Sequence, residues 1–215
     1  GVVALPNDEK ECRKVFDFAR EMGIETIVSE PPEDAFELIE KLSQEYGIKV
    51  AIHNHPKPSH YWNPETVARV CRGRSSLIGG CCDTGHWMRS GIEPMQGIRV
   101  MADRIISFHL KDLNRFGDKS AHDVVWTTGE AGIEAILNEL HNREFRGVFS
   151  IEYEYNWENS LPEIRESVRH FNDIAARLTP SGWTNLLEED LENAIFNEGS
   201  WTMEKGVLAR RGGGY

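Results

Sequence analysis

Across 215 residues, no apolar run reaches the roughly 18–20 residues that a membrane-crossing helix requires. No cleavable signal segment opens the chain either. Basic residues are in short supply: 24 Lys and Arg stand against 35 Asp and Glu, a formal net charge of −11. A phosphate-binding surface needs a basic stripe, so this balance argues against a nucleic-acid partner. Cysteine is scarce too. Cys12, Cys71, Cys81 and Cys82 include no CxxC pair, and neighbours 81 and 82 would point to opposite faces of a strand. They read as small buried residues or free thiols. The glycine-rich turn of a dinucleotide fold follows none of the apolar runs. An initiating methionine is also missing. The chain begins Gly1-Val2-Val3-Ala4-Leu5, already inside an apolar run. The native start is therefore expected upstream, and cytoplasm and periplasm both stay open as the compartment.

What is present is a regular alternation. Short β-branched apolar runs fall at 2–5, 25–29, 49–53, 76–82, 105–110 and 147–153. Helical patterns lie between them. Asn7 is the expected cap of the first, with Val15, Phe16 and Ala19 on one face and Gly23 at its end. Pro32 opens the second, whose Ala35, Phe36, Ile39 and Leu42 share a face and which Gly47 ends. Asn63-Pro64-Glu65 supplies a cap, a first-turn proline and an acidic first turn for the third. Later helices fit 93–102, 130–143 and 161–177. Strand then helix, repeated, predicts parallel strands joined by crossover helices. Runs that are apolar throughout suit strands buried on both faces.

Parallel α/β folds build their sites at the C-terminal ends of strands. Here those ends carry Glu30, then His53-Asn54-His55, then Asp83-Thr84-Gly85-His86, then His109-Leu110-Lys111-Asp112, then Glu152-Tyr153-Glu154. Charged groups seldom end buried strands by accident. Carboxylates with imidazoles suit one divalent cation such as Mn²⁺, Mg²⁺, Co²⁺ or Zn²⁺. Open positions on such an ion would let a sugar's oxygens chelate it, acidifying a C–H beside a carbonyl. A nearby carboxylate can then move the proton. Lys111 and Glu154 share faces with His109 and Glu152 by the two-residue period of a strand. Trp62, Trp87 and Trp126 follow strands and could stack on a sugar ring.

The motifs IHNH, CDTGHW, SFHLKD and SIEYE, in this order and about one strand–helix unit apart, resemble the xylose isomerase-like TIM barrel superfamily. That group includes sugar phosphate isomerases and epimerases, inosose dehydratases and, more distantly, a DNA-repair endonuclease. The resemblance covers residues 1–178 and implies an α/β, (β/α)8 barrel in which strands three to eight are present. It implies metal ligands His53, Asp83, His109 and Glu152. It also implies a substrate contact at His86. Glu30, Asn54 and Trp87 are further candidate contacts by their place at or after the strand ends, and Glu152, His53 and Lys111 are the candidate catalytic groups. The family usually has glutamate at the position of His53, which weakens a symmetric two-carboxylate epimerase. Residues 179–215 begin with a linker, Thr179-Pro180-Ser181-Gly182. They resemble the start of a β-sandwich of the 3-keto-disaccharide hydrolase type, and such a domain would couple glycoside hydrolysis to the barrel. The expectation is an isomerase or epimerase on a small carbohydrate, with β-elimination from a keto-sugar or 3-keto-glycoside as the alternative. The partners implied are that carbohydrate and, through open sheet edges, copies of the chain in a homo-oligomer, with neither nucleic acid nor membrane.

Overall fold

The computed structural model describes residues 1–178 and the strands at 201–204 and 207–210. Helix α1 (Glu9–Glu21) precedes β1 (Thr26–Ser29). Then come α2 (Phe36–Tyr46), β2 (Lys49–His53), α3 (Pro64–Cys71), β3 (Ile78–Asp83), α4 (Thr84–Arg89), α5 (Pro94–Met101) and β4 (Ile105–Leu110). A two-residue pair, β5 (Asp112–Leu113) and β6 (Asp123–Val124), leads to α6 (Ile133–Asn142), β7 (Val148–Ile151) and α7 (Leu161–Leu178). β1-β2-β3-β4-β7 form one parallel sheet that curls as a half-barrel, with the helices as crossovers. Among the described residues no helix is long and apolar enough to cross a membrane.

The local chemistry explains these boundaries. Asp8, not Asn7, caps α1, its carboxylate accepting from Glu11 N–H at 3.0 Å. Asn7 instead donates from Nδ2 to Asp34. Asn63 caps α3 as expected, with Pro64 in the first turn. Gly47 takes the left-handed conformation (φ 68°) that ends α2, where a side chain would be strained. The run at 2–5 does not become a strand. Only Val3 forms a parallel bridge, to Ser29, and Val2 and Val3 stay exposed. Apolar β-branched sequence alone does not make a strand where a ladder is lacking. β8 (Trp201–Glu204) and β9 (Val207–Arg210) pair antiparallel. The sandwich expected from 179 onward otherwise falls outside the described residues.

Phe16, Phe36, Ile39 and Leu42 from the helices pack with Val50, Ile52, Ile78 and Phe108 from the sheet, all fully or almost fully buried. Each such side chain contributes about 1.5–3 kcal/mol through burial. Two features aim the strand ends inward. The ladder between β3 and β4 shifts register between Gly80 and Cys81, a bulge that re-aims the residues beyond it. Helix α5 then lies tight on Trp87: a Cβ at Gly97 would sit 2.6 Å from the indole carbons. Gly97→Ala is therefore expected to cost about 1–3 kcal/mol by overpacking. Urea denaturation reads this directly, and an unchanged midpoint would mean that the ring has room to move.

Candidate metal centre

Strand register brings the site together. His53 lies opposite Cys81, and Asp83 lies opposite His109. Glu152 follows β7, its N–H still bonded to the Leu110 carbonyl at 3.1 Å. One donor atom from each of His53, Asp83, His109 and Glu152 falls within 4.8 Å of the others. His53 Nε2 is 3.1 Å from His109 Nδ1 and 3.8 Å from Asp83 Oδ2, while Glu152 Oε2 is 3.1 Å from His109 Nδ1.

Asp83 divides its carboxylate. Oδ1 caps α4 by accepting from His86 N–H at 2.7 Å, and Oδ2 turns to the cluster. Oδ2 and Glu152 Oε2 are buried, and neither accepts a hydrogen bond. The Lys111 ammonium does stand close, at 2.9 and 2.8 Å, as an ion-pair partner. Two buried carboxylate oxygens that share one ammonium and face two imidazoles fit a divalent cation.

Charge within the cluster is balanced by protons when no ion is bound. Burial pushes both His53 and His109 down, but their partners outweigh it. The nearby carboxylates of Asp83 and Glu30 raise His53 to about 9, and Cys81 with the Glu152 carboxylate raises His109 to about 10. Burial would raise Asp83, yet Lys111 and His53 hold it well below the usual carboxylate range. Glu152 is likewise lowered, by His109 and Lys111 against its burial. A ligating imidazole must be neutral, so metal uptake would release protons here.

Lys111 is fully buried and also reaches Glu154 Oε2 at 2.7 Å. Its backbone is clasped to Thr84, whose hydroxyl donates to the Lys111 carbonyl and accepts its N–H, both at 2.9 Å. His86 behaves differently from the other two rings. Burial, then the charges of Lys111, His53 and Arg89, lower it to about 4 despite Asp83. Arg89 Nη1 lies 3.2 Å from His86 Nδ1. A guanidinium and an ammonium both only donate, so Arg89 at Nδ1 and Lys111, 3.5 Å from Nε2, compete for the one acceptor nitrogen of the neutral ring. Sequence reasoning missed Arg89, although its position three residues after His86 on one helix face would have suggested it.

Two expected substrate contacts are packed inside the fold. Asn54 is buried, and its side chain bonds the Asp83 backbone in both directions, donating to the carbonyl at 3.0 Å and accepting from the N–H at 2.8 Å. Its amide is committed to holding β2 against β3. Trp87 is 1% exposed and packs on Gly97, so its ring has no face for a ligand. Trp126 is buried as well, whereas Trp62 carries the Lys57 ammonium over its ring. Glu30 does stand at the site, against His53 and His55. Asp112 faces away and accepts from Gly129 and Ala131 N–H, bracing a loop.

A family model described as "Xylose isomerase-like TIM barrel" matches residues 9–174, and the chain belongs to that family. Among particular proteins, it is 25% identical to inosose dehydratase 1 of Bacillus cereus over 135 residues, 56% of this chain and 45% of that one. The chain spans about half the length of the curated relatives it matches. A solved structure of a protein from Parabacteroides distasonis is 34% identical with a TM-score of 0.60, over 80% of this chain and 68% of that one. The structure of the IOLI protein with a bound zinc atom has a TM-score of 0.62 at 18% identity, over 83% and 77% of the two chains, a likeness of fold.

Proposed function

We propose that this barrel belongs to a metal-dependent enzyme that removes a proton next to the carbonyl of a small carbohydrate and then expels a β-hydroxyl as water. The observation that carries the reading is the convergence of His53, Asp83, His109 and Glu152 around two buried carboxylate oxygens without hydrogen bonds. These four residues would hold the cation. Such an ion, when bound, polarises a carbonyl and acidifies the adjacent C–H.

The chain's own groups supply the rest. Glu152, facing the cluster from the end of β7, takes the proton. The ammonium of Lys111, fixed by Asp83 and Glu152, offsets the negative charge that develops on the substrate oxygen. The neutral ring of His86, beside Lys111, contacts a second substrate oxygen. The proton held by Glu152 then passes to the departing hydroxyl, so one carboxylate serves both halves of the elimination. That economy favours dehydration here, because His53 stands where a second carboxylate would serve an epimerase. The similarity to inosose dehydratases leans the same way. Isomerisation or epimerisation begins with the same proton removal and is the second reading.

Metal-loaded protein incubated in D₂O with inosose, keto-sugars and 3-keto-glycosides, read by NMR, separates them. Loss of water to an unsaturated product is the expected result. Deuterium entering one carbon without fragmentation would assign isomerisation instead. If no substrate exchanges a proton, the reading fails.

A further inference from the structure

We propose that Glu30, His53 and His55 form a second metal site, with His53 shared between the two. This goes beyond the reaction assigned above and does not depend on which carbohydrate is used.

The two nitrogens of residue 53 lie on opposite sides of one ring, and the structure surrounds them with different donors. Nε2 faces Asp83 and His109, whereas Nδ1 is 3.3 Å from Glu30 Oε1. The same Glu30 oxygen is met by His55 Nδ1. The donor atoms of these three residues lie within 4.8 Å of one another. Ser59 Oγ donates to Oε2 at 3.0 Å and so leaves Oε1 aimed at the two rings.

Two imidazoles with one glutamate are the protein ligands of open zinc sites, which keep a position for solvent. Solvent reaches this one. His55 is about half exposed, and Glu30 lines a cavity of about 500 Å³ together with Pro31, Pro32, Glu33, His60 and Tyr61. IHNH places both histidines on one side of the strand end, two residues apart. To hold both ions at once, the His53 ring would have to lose both of its protons to solvent, one from each nitrogen. The competing account is that Glu30 only accepts hydrogen bonds and orients His53 toward a single ion.

Zinc stoichiometry separates the two accounts. The full 215-residue chain, loaded with Zn²⁺ and dialysed, should hold two ions by mass spectrometry of the metal. Glu30→Gln and His55→Ala should each reduce this to one, and the exposed His55 ring can be removed without disturbing the core. Asp83→Asn, which keeps the α4 cap, should also leave one ion, now lost on adding His55→Ala. Loading with Co²⁺ should give an electron paramagnetic resonance signal weaker than two separate ions, restored to full single-ion intensity in His55→Ala. A single ion lost in Asp83→Asn but retained in His55→Ala would overturn the second site and leave the first standing. A single ion with the opposite dependence would keep the second site and overturn the first. No bound zinc would overturn both.

Discussion

Replacing Lys111 by methionine should cost the metal-free chain about 3–5 kcal/mol of folding stability, the usual penalty for removing one partner of a buried ion pair. The ammonium is fully buried, 2.9 Å from Asp83 Oδ2 and 2.8 Å from Glu152 Oε2. Methionine keeps most of the apolar stem, which packs where a Cβ at Gly85 would lie 2.7 Å from Lys111 Cβ. The loss therefore reports on charge rather than on a cavity. Glu154, whose side chain is 41% exposed, contributes little to the total. Adding Zn²⁺ should recover part of the deficit, because a cation then faces the same two oxygens. Urea denaturation of wild type and variant, with and without zinc, reads both effects. An unchanged midpoint in the metal-free variant would show that the carboxylates do not depend on Lys111.

The second large effect is expected at Glu152. Glu152→Gln keeps the shape of the side chain but removes its basicity, and turnover should fall about 10²–10⁴-fold. Because the same residue is placed among the metal donors, metal content has to be measured beside the rate. A variant that keeps its ion and loses turnover assigns the proton transfer to Glu152. Full turnover with both eliminating and isomerising substrates would remove it from the chemistry.

The positions of these groups were legible because strands and their ends announce themselves in sequence. Apolar runs at 49–53, 76–82 and 105–110 became β2, β3 and β4 within a residue or two, and the polar residues at the end of each run meet in space. What each residue does there was less legible, because it depends on partners far away in the chain. Asn54 follows a strand end like any ligand, yet its amide serves the backbone of Asp83, 29 residues on. Trp87 belongs to the same CDTGHW motif as Asp83 and His86, but a short helix turns it inward onto α5, and no spacing rule shows that Gly97 will be beneath it. The run at 2–5 shows the opposite limit. Its propensity is right, but a strand is a property of a pair, and there only Val3 makes a bridge. The choice between Asn7 and Asp8 as cap is a one-residue matter that propensity does not resolve.

The clasp between Asn54 and Asp83 has an evolutionary consequence. Any change at 54 strips two hydrogen bonds from the backbone of 83, and any shift of the backbone at 83 strands the amide of 54 in a buried place. The dependence is one-sided, because both bonds go to backbone groups that almost any residue at 83 would supply. Among descendants of this sequence, asparagine at 54 should persist even in lineages where the side chain at 83 has changed.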